Sequence, residues 1–230
     1  MRVAVVQHKL RHTPTEDIDA LVDAASSAKE QGAQLLVFPE VPSLNDGYLR
    51  DDFYRRAQPV APRMWLIPHV REQSAGQAFR PTTLPGAEEL GRVAMPVGDA
   101  VIDPEELKRL YDDPPSILLL APRSHSDIQA EAVLELAIGL SESVCGLVIV
   151  ADPTGAEPGE PGHGGSAIML LGEVLAEALG NDDVLIADVP VPVPPLEPRE
   201  KLPEVPLILL QRLARDRGER LAVDYPVDPS

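Results

Sequence analysis

"GAQLLVFPEVPSL", residues 32–44, decides how this chain is read. Four apolar residues, Leu35 to Phe38, run into Pro39 and then Glu40. A short apolar run bounded by glycine and proline reads as a buried strand. This one ends on a carboxylate. A carboxyl group held at the carboxyl end of a strand can serve as a general base, whereas the same residue in a loop is a solvated surface group.

The flanking sequence builds a unit around that strand. Upstream, "RVAVVQHKL" (2–10) alternates and is rich in β-branched residues, so it reads as a strand. Between the two strands, Ile18, Leu21, Val22, Ala25 and Ala28 recur at helical spacing. Thr13 or Thr15 can cap that helix, and Gly32 ends it. Strand, helix, strand in so short a length predicts a βαβ unit with its strands parallel.

Downstream, residues 45–63 mix charges and read as a loop with at most a short helix. "MWLIPHV" (64–70) is a strand, and 78–95 has the shape of a hairpin turning at Pro85-Gly86. "DPEELKRLYDD" (103–113) is a short helix begun by Asp103, with Pro104 in its first position. "SILLLAP" (116–122) is a buried strand. The helix after it (124–144) places Ile128, Ala132, Leu136 and Leu140 on one face. "CGLVIVAD" (145–152) is a strand and residues 153–165 a glycine-proline loop. "SAIMLLGEVLAEAL" (166–179) is a hairpin turning at Gly172, and "DVLIADVPV" (183–191) a last strand. A stiff proline-rich arm (192–206) leads to a final helix, "LILLQRLARDRG" (207–218). The pattern is α/β: a sandwich with helices on its outer faces.

Composition excludes several classes. The 230 residues are 44% hydrophobic but only 3% aromatic, so the core is aliphatic. A net charge of -17 with no basic cluster argues against nucleic acid. A single cysteine, Cys145, rules out an internal disulfide and a cysteine zinc site. The five histidines lack ligand spacing, and no cofactor signature is present: "GHGGSA" (162–167) lacks the Lys-Ser/Thr ending of a phosphate loop. The first ten residues are a strand rather than a signal peptide, and no apolar run is of membrane-spanning length. The chain is expected to be soluble and cytoplasmic, with no membrane partner.

The ordered set of residues 1–44 and 116–189 resembles the nitrilase (carbon–nitrogen hydrolase) superfamily. "VAVVQHKL … GAQLLVFPE" is similar to that family's opening strand, helix and Phe-Pro-Glu strand, and "GHGGSAIMLLGEVLAEA" to its glycine-serine hairpin. The resemblance implies a four-layer α-β-β-α sandwich, shortened in the middle here and usually dimeric through its outer helices. It also implies a Glu-Lys-Cys triad that hydrolyses amides or nitriles through a thioester. The thiolate attacks, the glutamate moves the proton and the lysine stabilises the oxyanion.

Glu40 matches the family base. The lysine's place falls on Met95 by one alignment and on Ile67 by another, and no lysine lies between Lys29 and Lys108. The nucleophile's place falls on Ile102 or Asp103. Cys145, at the head of "CGLVIVAD", reads as a small core residue. Arg123 in "RSHSD" follows a strand where the family lines its pocket, and can hold a carboxylate or phosphate. The same stretch is equally a helix start capped by Ser124 or Ser126.

The expected site is therefore Glu40 as base, working or vestigial, with Arg123, Ser124 and Met95 lining the pocket, and no metal. Two domains are expected: a sandwich over 1–189 and an arm with helix over 190–230, lying at a subunit interface. The leading functional reading is a non-catalytic homologue acting as a binding or assembly subunit. It would be homo-oligomeric, with a small amide or carboxylate ligand. The rivals are an active carbon–nitrogen hydrolase with displaced partners, and another hydrolase chemistry using Glu40 as base with Arg123 as anion anchor.

Overall fold

A computed structural model describes residues 1–69, 81–84, 87–155, 163–179, 182–194, 196 and 202–218. Strand β1 (Arg2–Gln7) leads into helix α1 (Pro14–Glu30) and strand β2 (Leu35–Glu40). The two strands pair in parallel, Val3 opposite Leu35 and Val5 opposite Val37. Thr13 caps α1 in a reciprocal capping box with Glu16, which settles the choice between the two threonines.

Residues 47–60 form a full helix, α2 (Gly47–Val60), where the sequence suggested a loop. Asp46 starts it by accepting hydrogen bonds from the Tyr48 and Leu49 amides. Phe53 and Ala57 are its buried residues. The Phe53 ring meets Phe38 of β2 edge-on, with centroids 5.2 Å apart.

Strand β3 (Trp65–His69) completes the first sheet, and β4 (Thr82–Thr83) pairs antiparallel with β5 (Arg92–Ala94), as a hairpin requires. Its expected turn at 85–86 lies outside the described residues. Then come α3 (Pro104–Asp112), β6 (Ile117–Leu120), α4 (Asp127–Ser143), β7 (Leu147–Val150), the hairpin β8 (Gly164–Leu170) and β9 (Glu173–Leu179), β10 (Asp183–Asp188) and α5 (Leu207–Asp216).

The strands form two sheets, ordered β10-β1-β2-β3 and β4-β5-β6-β7-β8-β9. Alternation along each strand feeds three separate apolar layers. Val3, Val5, Leu35 and Val37 face Leu147, Ile149 and Ile168 between the sheets. Ala4, Val6, Leu36 and Phe38 pack outward under α1 and α2. Leu118, Leu120, Val148 and Val150 pack outward under α3, α4 and α5. The result is an α-β-β-α sandwich. Each Leu sealed in a layer contributes roughly 2 kcal/mol of transfer free energy.

One expectation changes in the outer layer. Ile128 is not on the buried face of α4: it sits in the first turn, 64% exposed, while Val133 and Ala137 join Ala132, Leu136 and Leu140 inside. The final helix packs on the outer layer of its own chain. Leu209 and Leu213 are buried in the same layer as α4, and only Leu207 of the apolar set is exposed. The arm also lies on its own chain. A Cβ added to Gly146 would come within 2.8 Å of Val193, and one added to Gly139 within 2.8 Å of Pro203. Among the described residues, no helix is long and apolar enough to cross a membrane.

Candidate functional site

Parallel strands bring their carboxyl ends, and the loops that leave them, to one edge of a sheet. An isolated parallel bridge between Lys9 and Thr154 joins the end of β1 to the end of β7, so both sheets open on the same side. Thr154 donates its amide to the His8 carbonyl at 2.8 Å, and Leu10 donates to the Thr154 carbonyl at 2.8 Å.

Glu40 stands at this edge, 4% exposed. The β2–β3 register slips between Phe38 and Glu40, because Pro39 has no amide to donate to the ladder. Without the slip, Glu40 would share a face with Leu36 and Phe38, under the helices. With it, Glu40 pairs with His69 and falls into phase with Leu35 and Val37, toward the second sheet. The bulge answers why a buried strand ends on Pro-Glu: the proline re-aims the carboxylate.

Next to β2, Gln7 ends β1. Its side-chain oxygen accepts from the amides of Gly165 (2.9 Å) and Ser166 (2.8 Å), clamping the start of β8 to the first sheet. Its Nε2 is buried with no hydrogen-bond partner among the described residues. Gly164 makes this approach possible: at φ +70, a Cβ there would strike Thr154 at 2.6 Å and Gln7 at 2.7 Å.

On the second sheet, Asp152 follows β7 and is 1% exposed. Its carboxylate accepts the Ser124 amide at 3.0 and 3.1 Å. Burial pushes its pKa up to about 7, against the opposing pull of Ser124, Arg212 and the Arg123 amide. The Ser166 hydroxyl accepts the Asp152 amide and donates to the Asp152 carbonyl, both at 3.1 Å. Arg123 occupies the left-handed region at φ 59, which strains a long side chain and marks a tight turn.

Arg212 arrives from α5, 4% exposed. Its Nη2 donates to Asp99 (3.0 Å) and to the Pro122 carbonyl (3.2 Å). Nε and Nη1 have no hydrogen-bond partner among the described residues, and Nε lies 3.6 Å from Asp216. Arg217 reaches Asp103, the cap of α3. The C-terminal helix thus grips the loops that follow β5 and β6.

The structure sorts the expected residues. Glu40 is buried at the carboxyl end of β2; Arg123 and Ser124 are in the loop after β6, and Ser126, not Ser124, caps α4. Met95 and Ile67 both pack in the apolar layer between the sheets. Ile102 is fully buried under the outer helices and Asp103 caps α3, so neither faces the layer that Glu40 faces. Lys108 is exposed on α3 and paired with Asp112. Cys145 lies before β7, at the strand's amino end, 2% exposed in the layer under α4, and burial pushes its thiol pKa up. Gln7, Asp152 and Arg212 were not anticipated. Arg212 had a signal: with Leu209 and Leu213 it shares the i, i+3, i+4 stripe that α5 buries. Among the described residues, no group of three or more His, Cys, Asp or Glu is placed to hold a metal ion.

No family model matches this sequence, and no curated protein matches it. Solved structures do. An amidase from Nesterenkonia sp. is 22% identical, with a TM-score of 0.64, over 83% of this chain and 90% of that one. A mutant of the Nesterenkonia sp. AN1 amidase in complex with butyramide is 21% identical, with a TM-score of 0.65, over 83% and 91%. Another mutant of that amidase, carrying the acetamide moiety of fluoroacetamide on its active-site cysteine, is 20% identical, with a TM-score of 0.63, over 83% and 90%. The chain therefore has the fold of these nitrilase-superfamily amidases.

Proposed function

We propose that this protein is a nitrilase-superfamily homologue without thioester chemistry, a cytoplasmic binding or assembly subunit that takes a small amide or carboxylate at the strand ends near Glu40. One observation carries the reading: the only cysteine is at the wrong end of its strand. A thioester mechanism needs a thiolate beside the base. Cys145 is sealed at the amino end of β7 with a raised thiol pKa, while Glu40 stands at the carboxyl edge. The Cys145 Sγ meets the Leu147 carbonyl at 3.8 Å, and that geometry activates nothing. Glu40, Gln7 and the Asp152 loop still shape a polar edge able to hold a small ligand.

The test is ammonia release from a panel of amides and nitriles by the wild type, Glu40→Gln and Cys145→Ala. No release above blank is expected from any of them, with all three folded. Turnover that disappears in Glu40→Gln overturns the reading and makes Glu40 a working base; turnover that disappears in Cys145→Ala restores a nucleophile.

A further inference from the structure

The outward side of β1 carries a second polar cluster. Gln7 points between the sheets, so Val6 and His8 point the other way, toward α1. A cavity of about 370 Å³ lies there, between α1 and the start of β10. His8 lines it and is 2% exposed. Its Nε2 meets Oδ1 of Asp17 at 2.8 Å. That carboxylate is fixed in turn by the Arg11 amide (2.8 Å) and the Ser43 hydroxyl (2.9 Å). A carboxylate only accepts, so it holds the imidazole proton on Nε2 and leaves Nδ1 as an acceptor. Nδ1 has no hydrogen-bond partner among the described residues. It stands 3.9 Å from Oδ1 of Asp182, which also accepts the Lys9 amide.

We propose that this cavity binds a small aliphatic amine as its ammonium ion. Two acceptors 3.9 Å apart need a donor between them. One nitrogen carrying several N–H groups, about 2.8 Å from each, closes the gap with two hydrogen bonds. The charge of the lining has the sign such a donor needs. Asp23 and Asp183 add two more carboxylates, and the cation of the lining, Arg11, is committed to Asp182 at 2.6 Å. A carboxylate or phosphate ligand would meet like charge. The rest of the wall suits a short alkyl chain. Ala20 and Ala24, one turn apart on α1, face Val6 and Val184 across the cavity and leave its middle open. A water molecule would close the same gap, but it brings no charge and takes roughly 30 Å³.

The probe is n-butylamine at about pH 8, where an alkylamine is charged. Its counterparts, 1-butanol and butyrate, carry the same chain without the positive charge. Binding is followed by NMR titration of the full chain, on the backbone amides and on the His8 imidazole nitrogens. Three variants accompany the wild type. Asp182→Asn removes the carboxylate beside His8. Ala20→Leu fills the cavity without changing charge. Asp51→Asn, exposed on α2, is a distant control of equal charge change. The expected result is saturable binding of butylamine that moves the His8 Nδ1 resonance. It should weaken about tenfold or more in Asp182→Asn and in Ala20→Leu, and about twofold or less in Asp51→Asn. Butanol and butyrate should bind about tenfold more weakly or worse. Equal weakening in Asp51→Asn would mean general attraction to an acidic protein. Equal binding of butanol would mean a merely apolar hollow. Undiminished binding in Ala20→Leu would place the amine elsewhere, and no saturable binding would leave the gap to water. Each of these results overturns the proposal.

Discussion

Replacing Asp152 by Asn should flatten the dependence of stability on pH. Asp152 is 1% exposed, and burial raises its pKa from 3.8 to about 7. A folded pKa above the unfolded one means that the native state holds the proton more tightly. Its contribution is fully present below about pH 4 and is lost as pH rises through 7. Each pH unit between the two pKa values is worth about 1.4 kcal/mol, and the slope halves at the folded pKa, so the span between pH 5 and 7 is worth about 2 kcal/mol. An amide of the same shape keeps an oxygen for the Ser124 amide and does not ionise. Urea unfolding of both proteins at fixed ionic strength, from pH 5 to 8, measures the difference. Relative to the wild type, the Asp152→Asn variant should gain about 2 kcal/mol as pH rises from 5 to 7. Two stability curves that stay parallel would refute the argument, and would mean that Arg212 compensates the Asp152 charge in full. Adding Arg212→Met to the wild type removes an attraction that lowers this pKa, so it should widen the pH window upward.

Other outcomes follow from the same contacts. Cys145 should react slowly with a thiol reagent in the native protein and quickly in denaturant, and Cys145→Ala should cost about 1 kcal/mol or less in chemical unfolding. Gly164→Ala meets a forced positive φ and close contacts with Thr154 and Gln7, so it should cost about 3 kcal/mol by the same measurement. Leu209→Ala, in a fully buried site under α4, should cost about 3 kcal/mol and confirm that α5 belongs to its own chain's outer layer. Light scattering at micromolar concentration should show a homo-oligomer; a monomer mass would count against it.

Most strands were legible because their apolar runs are short and punctuated by Gly or Pro, and the opening βαβ unit carries both its cap and its stop. Helix α2 was not, because only Phe53 and Ala57 of its fourteen residues are buried and Pro59 stands within it. Its start signal, Asp46, was present and was outweighed by mixed charge. Ile128 misled because periodicity counts spacing but not distance from the helix end, and a first-turn residue can overhang the core. Glu40 was legible as a carboxylate at a strand end. The direction it faces depends on a one-residue register slip, which only the pairing with β3 reveals. Arg212 was beyond local reading: its partners Asp99 and Pro122 lie 113 and 90 residues away. Arg123, the arginine that the sequence offered as an anion anchor or as part of a helix start, stands on a turn at positive φ.

The central position of β1 has a consequence for synthesis. Arg2 pairs with Asp188 and Gln7 with Asp183, so one of the two neighbours of β1 is made more than 170 residues after it. Until residue 188 emerges, β1 has a partner on one side only, and its other edge offers unpaired backbone beside a run of valines. A contact closed across so much chain forms late and slows folding. The nascent protein therefore carries an adhesive edge until β10 is made, and a stalled or clipped product ending before residue 183 keeps that edge permanently. Such fragments are the form in which this acidic chain should aggregate and recruit chaperones, while the finished molecule, with β10 seated, should not.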